Sequence, residues 1–526
     1  MAATPTRTRA GRLARNTAIF SFATGLSRIA GLVREIVAAA FFGTSPAASA
    51  FSVAFQVPNL VRNLFADSAL SAAFVPVFTE LLDRGRRRDA FALASTFAAL
   101  IAGVLGLVCV AAIALAPLVI PLFTPDDLAG LTTGLTQVMF PIVLLLGLNG
   151  LVVGILNAYD HFSVPALSPL VWNLVIIAVL VALRPAFDGP EELYAYAIAV
   201  VAGTLVQLLM VLPVLRRLDF RFTRELNLRD LQVTRVLVLM LPITVGLGLI
   251  NFNLFINTAL AFAVSDAAPR AIENAFRIYM LPQGIFSVAV ATVLFPALSR
   301  LASQGDRDGL RGLTASGVRA IALLLVPCAA FTLVLAEPVV RLVFERGEFG
   351  PASTRITAEA LFWFSFSLPF AGANLLLTRT FFSLQRPWVP TALAGVTLLV
   401  NLAVALALYE PLGVAGIVLA TAVASAAMTL GQARALRREL GGSLDGARTL
   451  ATLTRVLAAS AALAGVALAV HAGLDALLGR SLPAQVAAVG LALLAGVAVY
   501  AAAVLALRIP EAQRIAADVR RRLDRP

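Results

Sequence analysis

The chain has 526 residues, 60% of them hydrophobic and 13% charged, with a mean hydropathy of +0.90. A soluble domain is about half apolar and a quarter charged, so this composition excludes an ordinary soluble enzyme or binding module. The net charge of +12 is carried by 41 basic residues that are all arginine. Arginines gather in the cytoplasmic loops of membrane proteins, so the charge does not call for a nucleic-acid partner.

Apolar runs of about 20 residues recur along the whole chain, and each can cross a bilayer. Lipid offers no hydrogen bonds to the backbone, so the runs are expected to be helices. The sequence predicts fourteen spans: 17–43, 48–83, 90–122, 131–158, 164–185, 191–215, 233–264, 268–299, 313–344, 353–384, 388–409, 413–433, 449–475 and 483–507. The second, ninth and tenth are long enough to extend past the hydrocarbon or bend. The first follows MAATPTRTRAGRLARN. No small-residue cleavage site follows a short apolar core, so an uncleaved first helix is expected.

Arginine placement orients these spans. With the N-terminus inside, cytoplasmic segments hold 30 arginines and outside segments hold 6. That split places both termini in the cytoplasm. The use of arginine alone, with abundant alanine, resembles the product of a GC-rich genome, so a bacterial plasma membrane is expected. The outside loops are short, and Asp126, Asp127, Glu191 and Glu192 read as solvated loop charges.

A weak internal echo crosses the chain. Pro76, Pro165 and Asn173 are answered by Pro296, Pro390 and Asn401, at offsets of 220, 225 and 228. Two six-helix lobes in parallel repeat fit this, a common transporter plan with the substrate path between halves. The expected fold class is an all-α integral membrane protein of fourteen transmembrane helices, two such lobes plus two C-terminal helices. The expected segments are a tail at 1–16, an N-terminal lobe at 17–217, a C-terminal lobe at 218–440, the last two spans at 441–508 and a tail at 509–526.

Arg28, Arg34, Arg62, Arg277 and Arg379 fall within spans. An arginine at a span's centre costs roughly 2.5–3.5 kcal/mol, so Arg28, Arg34 and Arg62 together would cost of order 8–10 kcal/mol in lipid. They are expected to face a cavity or a partner. Glu35 lies seven residues after Arg28 on the same helical face and can neutralise part of its charge. Asp67 is five residues from Arg62, poorly placed to pair on one helix. Glu273 precedes Arg277 by four, the favourable order for an ion pair. The competing reading is interfacial snorkelling or structural pairing, which suits Arg379 near a cytoplasmic end. A positive cavity asks for an anion, and guanidinium groups fit phosphate oxygens bidentately, which points to a diphosphate.

Cys109 and Cys328 lie in apolar runs and read as packed helix residues. His161 and His471 have no second ligand at metal spacing, so no metal or cofactor is expected. No GxxxxGK[ST] phosphate loop occurs, so a membrane potential or ion gradient, rather than ATP, would have to bias transport.

LSRIAGLVREIVAAAFFG (26–43), AFSVAFQVPNLVRNLFADSALSAAFVPVFTELL (50–82), ILNAYDHFSVPALSPLVWN (155–173) and RIYMLPQGIFSVAVATVLFPALSR (277–300) resemble the MurJ/MviN lipid II flippase family. That family lies within the multidrug/oligosaccharide-lipid/polysaccharide exporter superfamily. FERGEFGPAST (344–354) and LLTRTFFSLQRPWVP (376–390) add to the resemblance, which covers about residues 15–440. It implies a cavity open to each side in turn, with arginines holding the diphosphate of the undecaprenyl-linked disaccharide-pentapeptide. It also implies that the last two helices shape a groove for the lipid tail. Carried over by motif, the family's arginines fall on Arg28 in SRIAG, Arg34 in LVRE, Arg62 in NLVRN and Arg277 in AFRIYMLP. Ser49 and Met280 depart from the family, which usually has an acid at the first and often at the second.

The implied function is lipid II translocation by alternating access, without catalysis. Lipid II and the membrane are its implied partners, with cell-wall synthesis machinery as a further one. Alternatives are a flippase for another polyprenyl-diphosphate-linked glycan, a membrane glycosyltransferase and a non-transporting cell-wall scaffold. An arginine-rich cavity disfavours a cationic-drug exporter, and short outer loops poor in candidate catalytic acids or histidines disfavour a transferase.

Overall fold

The computed structural model describes residues 25–65, 68–122, 124–159, 161, 163–218, 220–223, 227, 230–442 and 444–513. Within its helices, the side chains of residues 57, 60–65, 68–72, 242, 243, 245–247 and 249–251 lie outside the description. Among the described residues every regular element is helical. The first half holds α1 (25–42), α2 (Pro46–Phe65), α3 (Ser68–Asp83), α4 (Arg87–Val119), α5 (Asp126–Met139), α6 (Ile142–Ala158), α7 (Ser163–Leu183) and α8 (Glu192–Arg216). There follow α9 (Leu231–Val264), α10 (Ala268–Pro282), α11 (Val288–Ser303), α12 (Arg307–Val334), α13 (Ala336–Phe344), α14 (Pro351–Ser383), α15 (Trp388–Leu412), α16 (Val414–Glu439), α17 (Gly446–Leu478) and α18 (Leu482–Ala506). Among the described residues, eleven helical segments are long and apolar enough to cross a membrane. The chain is therefore a multi-pass, all-α membrane protein. The stretches beyond those eleven are helical too, at 25–42, in α2 with α3, and in α9.

The element boundaries repeat. α2, α3, α4, α5, α7 and α8 are followed, 220 to 225 residues later, by the starts of α10, α11, α12, α14, α15 and α16. The turns repeat as well. After α3, the Gly85 and Arg86 amides donate to the Leu82 and Leu81 carbonyls, both at 2.9 Å. After α11, Gly305 and Asp306 donate to Ala302 and Leu301 at 3.1 and 3.0 Å. This double bond closes a helix on a left-handed residue, which favours glycine. Gly85 and Gly305 have φ of +72° and +70°.

A Cβ at Gly85 or Gly305 would meet no atom within 4 Å, so substitution there strains only the backbone. Gly85→Ala and Gly305→Ala are each expected to cost about 1–2 kcal/mol, read as a lower melting temperature in detergent. Gly103→Ala in α4, which is equally open but helical, should leave melting unchanged or raise it.

The chain forms two compact units, Met1–Phe262 and Ala263–Pro526. In the first, Phe74, Phe78 and Phe97 are fully buried. Phe78 stacks on Phe74 at 5.1 Å between centroids, and Phe97 meets it edge-on at 5.8 Å. Tyr196 stacks on Phe51 at 4.2 Å, fastening α8 to α2. In the second unit α14 packs against α10, α12, α13 and α16 and buries Phe364 and Phe381. α17 and α18 close on α12 through Val456, Ala459 and Val504 against Leu323 and Val326. The Tyr500 hydroxyl donates to the Leu323 carbonyl at 2.6 Å.

Several sequence expectations need correction. The fourth span begins at Asp126 and divides at Phe140–Pro141. Asp126 and Asp127 are exposed, as solvated charges should be, but with Glu192 they occupy first turns of α5 and α8 rather than loops, where carboxylates complement the helix dipole. Glu192 also accepts from Arg184 at 2.6 Å. The expected ninth span divides at Leu335, whose φ and ψ of −118° and 27° are not helical. The eighth widens into a π turn at Gln283–Ser287, directly after Pro282, whose ring removes a donor from the ladder. The cysteines stand as expected: Cys109 and Cys328 are packed helix residues whose thiols donate to the Phe140 and Leu324 carbonyls.

Candidate functional site

Arg28 and Arg34 share α1 but sit in different surroundings. Arg34 is buried, with only 6% of the residue exposed. Its Nη2 donates to Glu35 Oε1 at 2.5 Å, and its guanidinium lies 4.7 Å from the centre of the Trp172 ring. Charge neutralisation and the ring face together offset the cost of burying it. Arg28 is exposed, and among the described residues it makes no hydrogen bond or ion pair. The expected pairing of Arg28 with Glu35 is not formed, because the nearer Arg34 takes the carboxylate. α7 braces this part of α1 through Asn173, whose Nδ2 donates to the Pro169 carbonyl at 2.8 Å and reaches the Ser27 carbonyl at 3.5 Å.

In the second unit, Arg277 projects from α10. Its Nη2 donates to Glu273 Oε1 at 3.1 Å, while Arg270 Nη1 donates to Glu273 Oε2, also at 3.1 Å. One carboxylate thus serves two guanidinium groups one turn to either side. Arg270 is 97% covered and Arg277 is part-exposed at 38%. Sharing this one carboxylate fixes both guanidinium groups on the same face of α10. Phe276 and Tyr279 stack below it and meet Phe364 of α14.

The side chain of Arg62, and Asp67, lie outside the described residues. Arg379 is exposed and rests over the Phe295 ring at 5.4 Å. Ser49 is fully buried and Met280 is exposed.

Two arginines escaped sequence reasoning. Arg270 counted among the outside arginines, yet it is buried in the first turn of α10. Its signal was the i,i+3 spacing to Glu273. Arg319 counted among the cytoplasmic arginines, yet it is buried in α12 and paired with Glu511, 192 residues away, at 2.5 Å. No local pattern announces that contact.

An apolar groove of about 530 Å³ runs between α17 and α18, walled by Val470, Gly473, Leu474, Leu477, Leu491 and Leu494. Its walls can solvate an alkyl chain and offer nothing to a polar group.

The chain's relatives share this plan. A solved structure described as lipid II flippase MurJ, inward closed conformation, superposes with a TM-score of 0.76 at 21% identity, covering 93% of this chain and 99% of that one. An inward-facing multidrug resistance MATE family transporter of the MOP superfamily superposes at 0.67 with 14% identity, over 79% of this chain and 94% of its own. In sequence, "Probable lipid II flippase MurJ" of Rhizobium meliloti is 34% identical over 76% of each chain. "Lipid II flippase MurJ" of Burkholderia cenocepacia is 32% identical over 72% of this chain and 74% of its own. The family model described as Lipid II flippase MurJ matches residues 38–476. The chain belongs to the lipid II flippase MurJ family.

Proposed function

We propose that the chain carries lipid II, the undecaprenyl-diphosphate glycopeptide, from the cytoplasmic to the outer leaflet of the bacterial plasma membrane by alternating access. The observation that carries this reading, within a MurJ family chain, is an intramembrane arginine, Arg28, that is exposed and meets no anion among the described residues. Such a charge is stable at membrane depth only beside water or an anionic ligand. Arg28, Arg62 and Arg277 each contact the diphosphate in the course of transport. Arg34 shapes the site through Glu35 and Trp172, and Glu273 positions Arg277. The groove between α17 and α18 takes part of the polyprenyl chain.

The working parts are an N-terminal lobe at 17–217, a C-terminal lobe at 218–440 and the final helix pair at 441–508. Both tails lie in the cytoplasm. No bond is made or broken, so the chain is a transporter and not an enzyme. Cell-wall synthesis machinery that consumes lipid II on the outer face is its partner.

Purified protein in vesicles tests the reading. Fluorescent lipid II placed in one leaflet should become accessible in the other at a rate that scales with protein content, and an imposed potential should change that rate. A rate equal to that of empty vesicles, with and without potential, overturns it. Stronger competition by a different undecaprenyl-diphosphate glycan than by lipid II would move the assignment to that glycan.

A further inference from the structure

A second crevice, of about 490 Å³, opens where α12 breaks into α13 and meets α14 and α17. Its apolar wall includes Leu333, Pro338, Phe362 and Leu468, and its polar wall is Glu337, Arg355, Glu359 and His471. It is separate from the arginines discussed above and from the apolar groove.

Arg355 and Glu359 lie one helical turn apart on α14, both exposed. Opposite charges at that spacing commonly pair. Here, among the described residues, neither forms a hydrogen bond or an ion pair. Glu337 is half-exposed and already receives Arg341 at 2.6 Å. The crevice therefore presents an unengaged cation and an unengaged anion side by side above an apolar floor.

Helix length fixes its depth. α14 and α17 are each 33 residues long, about 50 Å at 1.5 Å per residue. The hydrocarbon layer is about 30 Å thick, so each helix overhangs by about 10 Å, or six to seven residues, at each end. Arg355 is the fifth residue of α14, and His471 lies seven residues before the end of α17. With each helix centred on the bilayer, both stand near the boundary between acyl chains and headgroups. In the proposed topology this edge faces outward, and that orientation alone rests on the functional reading.

We propose that this crevice binds a membrane phospholipid with a zwitterionic headgroup. The phosphate sits on Arg355, with His471 as a second donor. The headgroup ammonium lies between Glu359 and Glu337. The glycerol and upper acyl carbons pack on Leu333, Phe362 and Leu468. A headgroup bearing phosphate alone leaves Glu359 facing a like charge, which disfavours anionic lipids.

The test uses full-length protein in nanodiscs of equal phosphatidylethanolamine and phosphatidylglycerol, with native mass spectrometry of retained lipids. Phosphatidylethanolamine adducts should exceed phosphatidylglycerol adducts by roughly fivefold or more, the discrimination expected of one charge-assisted contact. Phosphatidylcholine in its place should show the same excess. Arg355→Gln and Glu359→Gln should each bring the ratio near unity with unchanged melting, since both side chains are exposed. Glu410→Gln, at an exposed acid elsewhere, should leave the excess intact. Equal retention in the wild-type protein, an excess of phosphatidylglycerol, or an excess surviving both substitutions overturns the site. The readout needs no transport, so its failure leaves the lipid II assignment standing, and failed flipping leaves the crevice standing.

Discussion

Arg28→Ala is expected to lower the initial rate of lipid II transfer in vesicles by roughly 10- to 150-fold while the protein melts as the wild type does. The size follows from one hydrogen-bonded contact to a charged group, about 1.5–3 kcal/mol, converted at 1.4 kcal/mol per decade. The intact fold follows from the exposure of Arg28 and its lack of a partner among the described residues, because truncation there strands no described buried group. Arg34→Ala should behave in the opposite way. It leaves Glu35, 2% exposed, without the guanidinium at 2.5 Å, and empties the space over Trp172. Its defect should therefore appear first as lost stability or yield. Arg28→Lys separates charge from geometry, because an ammonium keeps the attraction but not the planar fork that grips two phosphate oxygens. It should restore part of the rate. Transfer at the wild-type rate by Arg28→Ala would remove this residue from the substrate path.

The membrane helices could be read from the sequence because lipid imposes a one-dimensional rule, an apolar run of fixed length with satisfied backbone. The 220- to 225-residue repeat of element starts was audible only as three matched side chains, since a repeat of turns and lengths survives where residue identity does not. Helix breaks at Leu335 and at the π turn after Pro282 were hidden, because tertiary packing decides whether a helix yields near a proline. Among the candidate site residues, the cost of intramembrane charge singled out Arg28, Arg34 and Arg277 without any contact information. Which acid each would meet was less accessible. The facing rule favoured Glu35 for Arg28, but Arg34 is long enough to fold back onto its own neighbour. Glu273 divides itself between Arg270 and Arg277, and the assignment of Arg270 to a loop concealed that sharing.

Glu511→Ala is the substitution expected to cost the most stability. Glu511 is 5% exposed and lies just past α18, where its Oε1 receives Arg319 Nε at 2.5 Å. Arg319 is 4% exposed and has two weaker partners, Asp445 Oδ2 at 3.6 Å and Thr449 Oγ1 at 3.4 Å. Asp445 is itself half in solvent, so it cannot replace a buried carboxylate. Deleting one member of such a pair leaves an uncompensated buried charge, at about 3–5 kcal/mol. The damage should localise to the clasp that holds α17 and α18 on α12, since Ile509 and Ala512 flank Glu511 in the same packed cluster as Leu323 and Val456. Earlier proteolysis after α16, together with a lower melting temperature in detergent, measures this. Replacing both partners, as Arg319→Met with Glu511→Leu, should recover most of the loss, because the cost arises from the stranded charge and not from the missing attraction. The double variant also separates clasp from transport. If the pair matters only for holding the apolar groove in place, the double variant should flip lipid II near the wild-type rate, while Glu511→Ala alone should flip slowly because its α17–α18 pair comes away.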